Sequence, residues 1–351
     1  MPLARVADAA VVPRPVPGCR SGASLLAISV ALLLASCAPS ALKPGEALPI
    51  RIESRAITTL GGSPRLAEGI EFVGGLELSS DEPLFGAFSS IRFLDDSRFV
   101  GVFDTGYWIE GRIERGADGM LSGVSDARLA AMLNRDGRES ASKYQVDAES
   151  LALVDGAALV GFEQRHRVVT YAPIASLATA RPSQPLALPF PTSRLRGNGG
   201  IEALVVSPAD ALLAGGVVAI SEKSVDEDGN NFAGILNGPL AGEFRVRPHD
   251  GFEITDGVFL PSGELVLLER RFSIASGVAM RLRRIDGASI RPGAIVDGPV
   301  IFEADNASEI DNMEGIDVVV ADDGSMHLIV VSDDNHSILQ RTVMLEFRLE
   351  P

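Results

Sequence analysis

Cysteine is nearly absent from this sequence. The chain has two cysteines, Cys19 and Cys37, and both stand before residue 50, ahead of the region in which short apolar runs predict a folded domain. The folded domain therefore has no cysteine pair for a disulfide, whatever its redox compartment. Its stability must come from the burial of apolar side chains.

Basic residues are scarce as well. The chain carries 31 Lys and Arg against 47 Asp and Glu, a formal net charge of −16. The charge argues against nucleic acids and anionic lipid surfaces as partners, because the chain would repel them, whereas cations and basic ligands suit it. The four histidines are too scattered for a zinc motif, and the sequence has no GxSxG nucleophile elbow.

Long apolar runs are also missing. The run Leu25–Ala35 is too short to cross a bilayer as a helix, and it follows a leader that contains three arginines. Small residues then lead directly into Cys37. This pattern is typical of a bacterial lipoprotein signal, in which the cysteine sulfur takes a diacylglyceryl group. The alternative is an ordinary secretory peptide cut near Ala38, and both interpretations predict export.

We therefore divide the chain into a signal peptide (residues 1–36), a tether rich in Pro and Ala (residues 37–49) and one folded domain (residues 50–351). Removal of the signal leaves 28 basic and 46 acidic residues, a net charge of −18. No aspartate follows Cys37, so the expected location is the outer membrane, facing the periplasm. We expect the lipid to be the membrane contact and the protein to be a monomer.

One pattern recurs through the domain: a small or acidic residue, an apolar pair, a turn, and an apolar strand that ends in an acid. The five repeats begin at Ser90, Glu149, Glu202, Asp256 and Glu314, which are 59, 53, 54 and 58 residues apart. Helical periodicity is nearly absent. A period of this length is typical of propeller blades with about four strands each.

The repeat predicts an all-β fold, a β-propeller. We favour six blades, with five as the alternative, because residues 50–80 and the strand Thr342–Leu349 provide material for a sixth blade that closes the ring. The competing architecture is a pair of β-sandwiches, which would not require so constant a period.

Acidic residues recur at two positions of the repeat. One set begins a strand and the other ends the next strand, so in a propeller both sets would meet at one mouth of the central channel. The first set is Glu149, Glu202, Asp256 and Glu314, and the second is Asp104, Glu163, Glu222, Glu269 and Asp333. Carboxylates gathered in this way raise one another's pKa values unless cations neutralise them.

The sequence offers two sources of positive charge for such a mouth. Basic residues follow the second set of acids, and a hard divalent metal such as calcium would take carboxylate oxygens as ligands. Asp333-Asp334-Asn335 is the best local cluster of oxygen ligands. The predicted metal ligands are Glu149, Glu202, Asp256, Glu314, Asp104, Asp333, Asp334 and Asn335.

Several motifs of the repeat occur together and in order: GAFSSIRFLDDSRFVGVFDTGYW, DAESLAL, NGGIEAL, LVLLERRF, NMEGIDV and VVSDDN. On these motifs the sequence resembles the phytase-like family, described as having esterase-like activity, over about residues 70–349. The resemblance implies a β-propeller that hydrolyses esters or phosphoesters, by analogy with calcium-dependent propeller phytases. Ser150 and Ala203 depart from the glycine that is usual after the glutamate, and Phe103 stands where serine is common.

The resulting hypothesis is a metal-assisted hydrolase of a small ester or phosphoester, with calcium as its candidate cofactor and a carboxylate that takes a proton from the attacking water. The candidates for that base are Glu163, Glu222 and Glu269. The candidates for substrate binding are Arg165, Lys223, Arg270, Arg271, His166 and His336. The alternative is a non-catalytic propeller that binds a ligand or a protein at the cell envelope.

Overall fold

A computed structural model describes residues 42–140, 142–321 and 323–350. The predicted signal peptide, the lipidation site Cys37 and the first residues of the predicted tether lie outside these ranges. Within them, the structure has one α-helix, α1 (Lys143–Val146), and three short 3-10 turns, at Ile174–Thr179, Thr192–Arg194 and Gly287–Ser289. No helix in the described ranges has the length and apolar character to span a membrane.

Almost all regular structure in these ranges is β-strand, as the short apolar runs between turn residues predict. In chain order the strands are β1 (Ala47–Pro49), β2 (Glu53–Ile57), β3 (Arg65–Leu66), β4 (Ile70–Ser79), β5 (Phe88–Phe93), β6 (Arg98–Phe103), β7 (Tyr107–Arg115), β8 (Leu121–Ala131), β9 (Ala148–Val154), β10 (Ala157–Phe162), β11 (Arg167–Tyr171), β12 (Ile201–Val206), β13 (Val217–Val225), β14 (Asn231–Ile235), β15 (Gly242–Val246), β16 (Glu253–Phe259), β17 (Leu265–Ser273), β18 (Gly277–Ile285), β19 (Ile295–Val296), β20 (Val300–Asp305), β21 (Asn312–Val320), β22 (Met326–Asp333) and β23 (Thr342–Leu349).

Among the described residues the strands pair into five sheets, which we name blades 1 to 5. From the innermost strand outward, blade 1 is β5-β6-β7-β8-β1, blade 2 is β9-β10-β11 and blade 3 is β12-β13-β14-β15-β19. Blade 4 is β16-β17-β18-β20-β3, and blade 5 is β21-β22-β23-β4-β2. Each innermost strand is antiparallel to its neighbour.

The innermost strands form a closed ring. β5 contacts β9, β9 contacts β12, β12 contacts β16, β16 contacts β21, and β21 returns to β5. Each gap between neighbouring blades holds its own apolar core. Examples of facing residues, from the gap between blades 1 and 2 around the ring, are Val102 and Leu151, Ala152 and Leu204, Ile220 and Leu267, Leu268 and Leu328, and Ile329 and Phe88. The fold is thus a five-bladed β-propeller.

Both faces of each inner strand are buried. Leu151 faces the gap toward blade 1, and the next residue, Ala152, faces the gap toward blade 3. Successive side chains of a strand point to opposite faces, so a strand covered on both sides reads as a continuous apolar run. The second strands are covered on both faces in the same way, which explains runs such as VVAI in β13 and LIVV in β22.

The predicted all-β propeller is confirmed, and the number of blades is five, the alternative, rather than the favoured six. Residues 50–80 and Thr342–Leu349 build no separate blade. Instead β23 pairs with β22 on one side and with β4 on the other, so these segments complete blade 5. Strands from both ends of the domain thereby close the ring in one sheet. The end of the predicted tether contributes β1, which pairs with β8 in blade 1.

Arg92, on β5, fills the centre of the channel and is 6% exposed. Its guanidinium donates to the two carboxylate oxygens of Asp256 on β16, at 2.7 and 2.9 Å. It also donates to the carbonyl of Leu204 on β12 at 2.9 Å and to that of Ile316 on β21 at 2.7 Å. One side chain therefore links four inner strands.

Asp256 is fully buried, and its oxygens are engaged by further donors as well. Ser90 Oγ donates to it at 2.9 Å, and the backbone N–H groups of Gly257 and Ile316 donate at 2.8 and 3.1 Å. A buried charge persists only when it is paired and hydrogen-bonded, as here. Asp256, a predicted metal ligand, is thus the ion-pair partner of Arg92 inside the channel.

Replacing Arg92 with methionine should lower the free energy of unfolding by about 3–5 kcal/mol, because the buried carboxylate of Asp256 would lose its partner. Urea unfolding followed by circular dichroism measures the loss. Arg284→Met is the matched control. It breaks a partly exposed pair with Glu264 and should cost about 1 kcal/mol or less. Equal losses in the two variants would contradict the central role of Arg92.

Candidate functional site

A β-bulge recurs in the inner hairpin of each blade. Near the start of every innermost strand, the register with the neighbouring strand shifts by one residue. A bulge leaves one residue unpaired and re-aims the side chains around it. The residues at this position in blades 1 to 5 are Ser89, Glu149, Glu202, Thr255 and Glu314.

Two further positions recur next to the bulge. The first position is at the end of the strand next to the innermost one, or just after it. In blades 1 to 5 its residues are Asp104, Glu163, Glu222, Arg270 and Asp333. The second position is on the innermost-strand side, two residues before the bulge, and it pairs with the first. Its residues are Ala87, Asp147, Gly200, Glu253 and Asn312. Because the blades surround one axis, all three positions meet at the same end of the channel.

Nine carboxylates of the described residues meet at this end, and we call them the acid mouth. They are Asp104, Asp147, Glu149, Glu163, Glu202, Glu222, Glu253, Glu314 and Asp333. Carboxylate oxygens of Asp147, Glu149 and Glu163 lie within 4.8 Å of one another, and so do those of Glu163, Glu202 and Glu222. Glu163 therefore belongs to two adjacent groups of three.

Three cations at the rim offset part of this charge. Arg270 Nη2 lies 3.4 Å from an oxygen of Glu222 and 3.4 Å from an oxygen of Glu314. Lys223 Nζ lies 3.0 Å from Glu222, and Lys143 on α1 pairs with Asp104. Within the described chain, three cations face nine carboxylates, so the cations are too few to neutralise the mouth.

The backbone orients the shared carboxylate. Glu163 Oε1 accepts hydrogen bonds from the N–H groups of Gly199 and Gly200. Gly199 has a φ of +148°, and a Cβ on Gly200 would lie 2.9 Å from Nδ1 of His166 and 3.0 Å from Cγ of Glu163. Glycine is therefore required where the chain approaches Glu163.

Burial raises the pKa values of the mouth carboxylates, and repulsion between neighbours adds to the effect. The pKa of Glu222 rises to about 7, that of Glu314 to about 6 and that of Asp333 to about 8. For Glu149 and Glu202, burial comes first and nearby carboxylates second, and the pKa lies well above its usual value. At neutral pH a bound cation would relieve this repulsion.

The structure gathers most of the predicted acids in the acid mouth. The predicted metal ligands found there are Glu149, Glu202, Glu314, Asp104 and Asp333, and the predicted bases found there are Glu163 and Glu222. Lys223 and Arg270, predicted to bind substrate, lie at the rim and pair with its carboxylates.

Two acids of the recurrent sets, Asp256 and Glu269, are not in the mouth, so the prediction that both sets meet there is wrong for blade 4. In blade 4 the bulge falls on Thr255 and the second position on Arg270, so Asp256 and Glu269 are each displaced by one residue. A shift of one residue turns a strand side chain to the opposite face. Asp256 pairs with Arg92 in the channel. Glu269 is buried inside blade 4 between two guanidinium groups, those of Arg281 and Arg283.

The cluster Asp333-Asp334-Asn335 is also only partly in the mouth. Asp334 accepts hydrogen bonds from the N–H of Ala87 at 3.1 Å and from Thr342 Oγ1 at 3.0 Å, so it ties a loop to the start of β5. Asn335 and His336 are exposed on that loop.

The other predicted basic residues lie beside the mouth. Arg271 donates to the carbonyl of Asp250 at 3.1 Å and stacks on the ring of Phe252. Arg165 and His166 line a cavity next to blade 2.

The sequence prediction missed Asp147, which stands two residues before Glu149. Glu253 and Asn312 occupy the same position in blades 4 and 5. Residues two apart on a strand share a face, so a search for polar residues two before each recurrent acid would have found Asp147 and Asn312. Lys143 carries no such repeat signal, because it comes from a helix found in one loop.

Both groups of three carboxylates fit a calcium ion. Calcium takes oxygen ligands at about 2.3–2.6 Å, so two ligands of one ion lie at most about 5 Å apart. The oxygens of Asp147, Glu149 and Glu163 meet this limit, since all lie within 4.8 Å of one another. Oδ1 of Asp104 is buried at the same end and has no hydrogen-bond partner among the described residues.

Comparison with known proteins adds a family match. A family model described as phytase-like, with the esterase-like activity of phytase, matches residues 83–336. No curated protein sequence matches the chain.

Three solved structures illustrate the structural similarity. A putative oxidoreductase (glucose dehydrogenase) of Thermus thermophilus has 12% identity and a TM-score of 0.33, covering 84% of this chain and 99% of its own. The WD40 β-propeller domain of Doa1 has 9% identity and a TM-score of 0.36, with 85% and 97% covered. The α-L-arabinofuranosidase of Podospora anserina, in complex with cellotriose, has 11% identity and a TM-score of 0.40, with 86% and 94% covered.

The raised pKa of Glu202 predicts how stability depends on pH when divalent metals are chelated. The folded protein retains a proton on Glu202 that the unfolded chain releases, so this residue lowers stability as the pH rises above the usual pKa of glutamate. Glu202→Gln removes that titration. We expect the free energy of unfolding of the variant to exceed that of the wild type by about 1 kcal/mol or more near pH 8, and by much less near pH 4.5.

Urea unfolding at several pH values, with a chelator present, measures this difference. Glu68→Gln makes the same change at an exposed position and should leave the pH dependence of the wild type intact. A difference between Glu202→Gln and the wild type that stays constant with pH would contradict the prediction.

Proposed function

Since the chain belongs to the phytase-like family, we propose that it is a metal-dependent hydrolase of small esters or phosphoesters and that the acid mouth is its reaction centre. The observation that carries the proposal is the sharing of Glu163 between two adjacent groups of three carboxylates. A purely structural ion-pair network would match every carboxylate with a cation. Here four carboxylates of the mouth have no cation within 4.0 Å among the described residues: Glu149, Glu163, Glu202 and Asp333.

Asp147, Glu149 and Glu163 are the residues we assign to a calcium ion. Their oxygens are hard ligands at suitable separations, and the glycine N–H groups fix the orientation of Glu163. Calcium held there would polarise a carbonyl or phosphoryl oxygen of the substrate.

Glu222 is the residue we assign to proton transfer. Its carboxylate oxygen lies within 4.8 Å of oxygens of Glu163 and Glu202, so it reaches the space beside the proposed metal group. Lys223 at 3.0 Å and Arg270 at 3.4 Å hold its position. A carboxylate fixed next to the substrate is suited to take a proton from the attacking water.

The same proposal places the protein outside the cytoplasm. The leader, the short apolar run and Cys37 support export with a lipid anchor, at the periplasmic face of the outer membrane. The strong negative charge supports a small-molecule substrate rather than a nucleic acid. We propose that the protein acts there as a monomer.

Calcium should raise the melting temperature of the protein, because it would bind the folded acid mouth and not the unfolded chain. Glu163→Gln should remove most of this rise, since Glu163 serves both groups, and Glu202→Gln should remove less. Glu68→Gln is the control and should keep the full rise. A rise that is unchanged in Glu163→Gln would place the ion elsewhere.

Turnover separates a hydrolase from a binding propeller. With calcium, chromogenic esters and phosphoesters should be hydrolysed, and Glu222→Gln should lower kcat by about 100-fold or more while retaining part of the calcium response. A calcium response without turnover across a broad panel would favour the alternative, a propeller that binds without catalysis.

The lipid anchor has a direct test in the host bacterium. The wild-type protein should incorporate a radiolabelled fatty acid supplied to the cells, and Cys37→Ser should not, because the sulfur that takes the acyl group is gone. Immunoprecipitation and autoradiography measure this, with Cys19→Ser as the matched control. If Cys37→Ser is labelled as strongly as the wild type, the lipidation hypothesis is wrong.

A further inference from the structure

A cavity of about 540 Å³ lies beside the acid mouth, between loops of blades 1 and 2. One part of its wall is apolar. The residues of this part are Met132, Val146, Phe162, Val169, Tyr171, Pro182 and Pro185. A wall of this kind suits a hydrocarbon chain or a ring.

The polar part of the wall is cationic, in contrast to the acidic chain as a whole. Arg135, Arg165 and Arg167 all line the cavity. Asp136 is the carboxylate among the described lining residues, and it lies 3.9 Å from Arg138. No carboxylate of the described chain lies within 4.0 Å of the three arginines, so their charges are not neutralised.

Arg167 is fixed in place as part of this wall. Its guanidinium lies over the ring of Phe162, 4.0 Å from the centroid, and donates to the carbonyls of Arg165 and Gln145. Burial, and then the nearby charge of Arg165, act to lower the pKa of Arg167. Both arginines line the cavity and neither has a carboxylate partner among the described residues, so an anion bound between them would be stabilised.

The cavity adjoins the proposed reaction centre. Val146 and Phe162, in its wall, directly precede Asp147 and Glu163 in the chain. His166 lines the cavity, and its buried Nδ1 has no hydrogen-bond partner among the described residues. A molecule in the cavity would therefore lie next to the acid mouth.

We propose that this cavity binds the non-reacting end of the substrate and selects for an anionic group on an apolar body. The inference rests on the proposed function, because it defines the substrate class of the same site. The favoured substrate is then an ester or phosphoester that carries a second anionic group, a carboxylate or a phosphate. Arg165 and Arg135 would bind that group, and the apolar wall would hold the rest.

Trp108 offers a binding signal that does not depend on catalysis. It is the single tryptophan of the chain, and its ring lies 5.2 Å from that of Tyr171, which lines the cavity. We would follow its fluorescence while adding cyclohexanecarboxylate or cyclohexyl phosphate, with cyclohexylmethanol as the neutral analogue. A chelator in all samples removes any contribution from metal at the acid mouth.

Both anions should change the fluorescence saturably, and cyclohexylmethanol should bind about tenfold more weakly or not at all. Arg165→Gln and Arg135→Gln should each weaken binding of the anions by about tenfold, whereas Arg291→Gln, an exposed arginine elsewhere, should not. Tighter binding of one anion than the other identifies the group that the substrate carries.

Equal binding of the anions and cyclohexylmethanol, or unchanged binding in Arg165→Gln and Arg135→Gln, would overturn the proposal. This failure differs from failure of the proposed function. If the chain were no hydrolase, anions would still bind here while no ester was turned over. If the cavity were not an anion site, esters would still be hydrolysed, with no preference for an anionic group and no rise in KM in Arg165→Gln.

Discussion

The ion pair between Arg92 and Asp256 is the interaction on which the centre of this propeller depends. Each inner strand has its backbone partner on the outer side, which leaves strand edges facing the channel. Arg92 satisfies carbonyls on two of these edges and the buried carboxylate on a third. Strands β12 and β21, which Arg92 joins, also carry Glu202 and Glu314 of the acid mouth near their starts, so the same bonds help to position these two carboxylates.

The acid mouth is built on a β-bulge that recurs in every blade. Its chemistry depends on which residues each blade places at the bulge and beside it. Every blade has the bulge, but blades 2 and 3 place glutamates both at the bulge and at the position next to it. Blade 1 has Ser89 at the bulge, whereas blade 4 has Thr255 there and Arg270 beside it. Blade 2 carries three carboxylates of the mouth, more than any other blade, and the cationic cavity lies on the blade 1 side of blade 2. The proposed metal group and the proposed anion site lie side by side, an arrangement that would suit a substrate with two oxygen-rich ends.

Much of the fold was predictable because apolar strands, turns and acids recur along the sequence at a nearly constant spacing. The recurrent acids at Glu149, Glu202 and Glu314 marked three innermost strands correctly. The prediction was wrong at blade 4. Asp256 and Glu269 fit the sequence pattern, but each lies one residue away from the position in the strand that faces the mouth. The number of blades was not predictable either. Strands β2, β4 and β23 were recognisable as strands, yet nothing in their own residues says which sheet they join.

The strand period, the burial of both faces of each blade and the excess of acids near the strand starts follow from local residue order and composition. The tertiary structure decided the register of the bulges, the closure of blade 5, the pairing of Arg92 with Asp256, and the meeting of Asp147 with Glu163. Such features depend on contacts between residues far apart in the chain. Which arrangement forms depends on the relative energies of alternative packings of the whole ring, and a local sequence pattern carries no information about those energies.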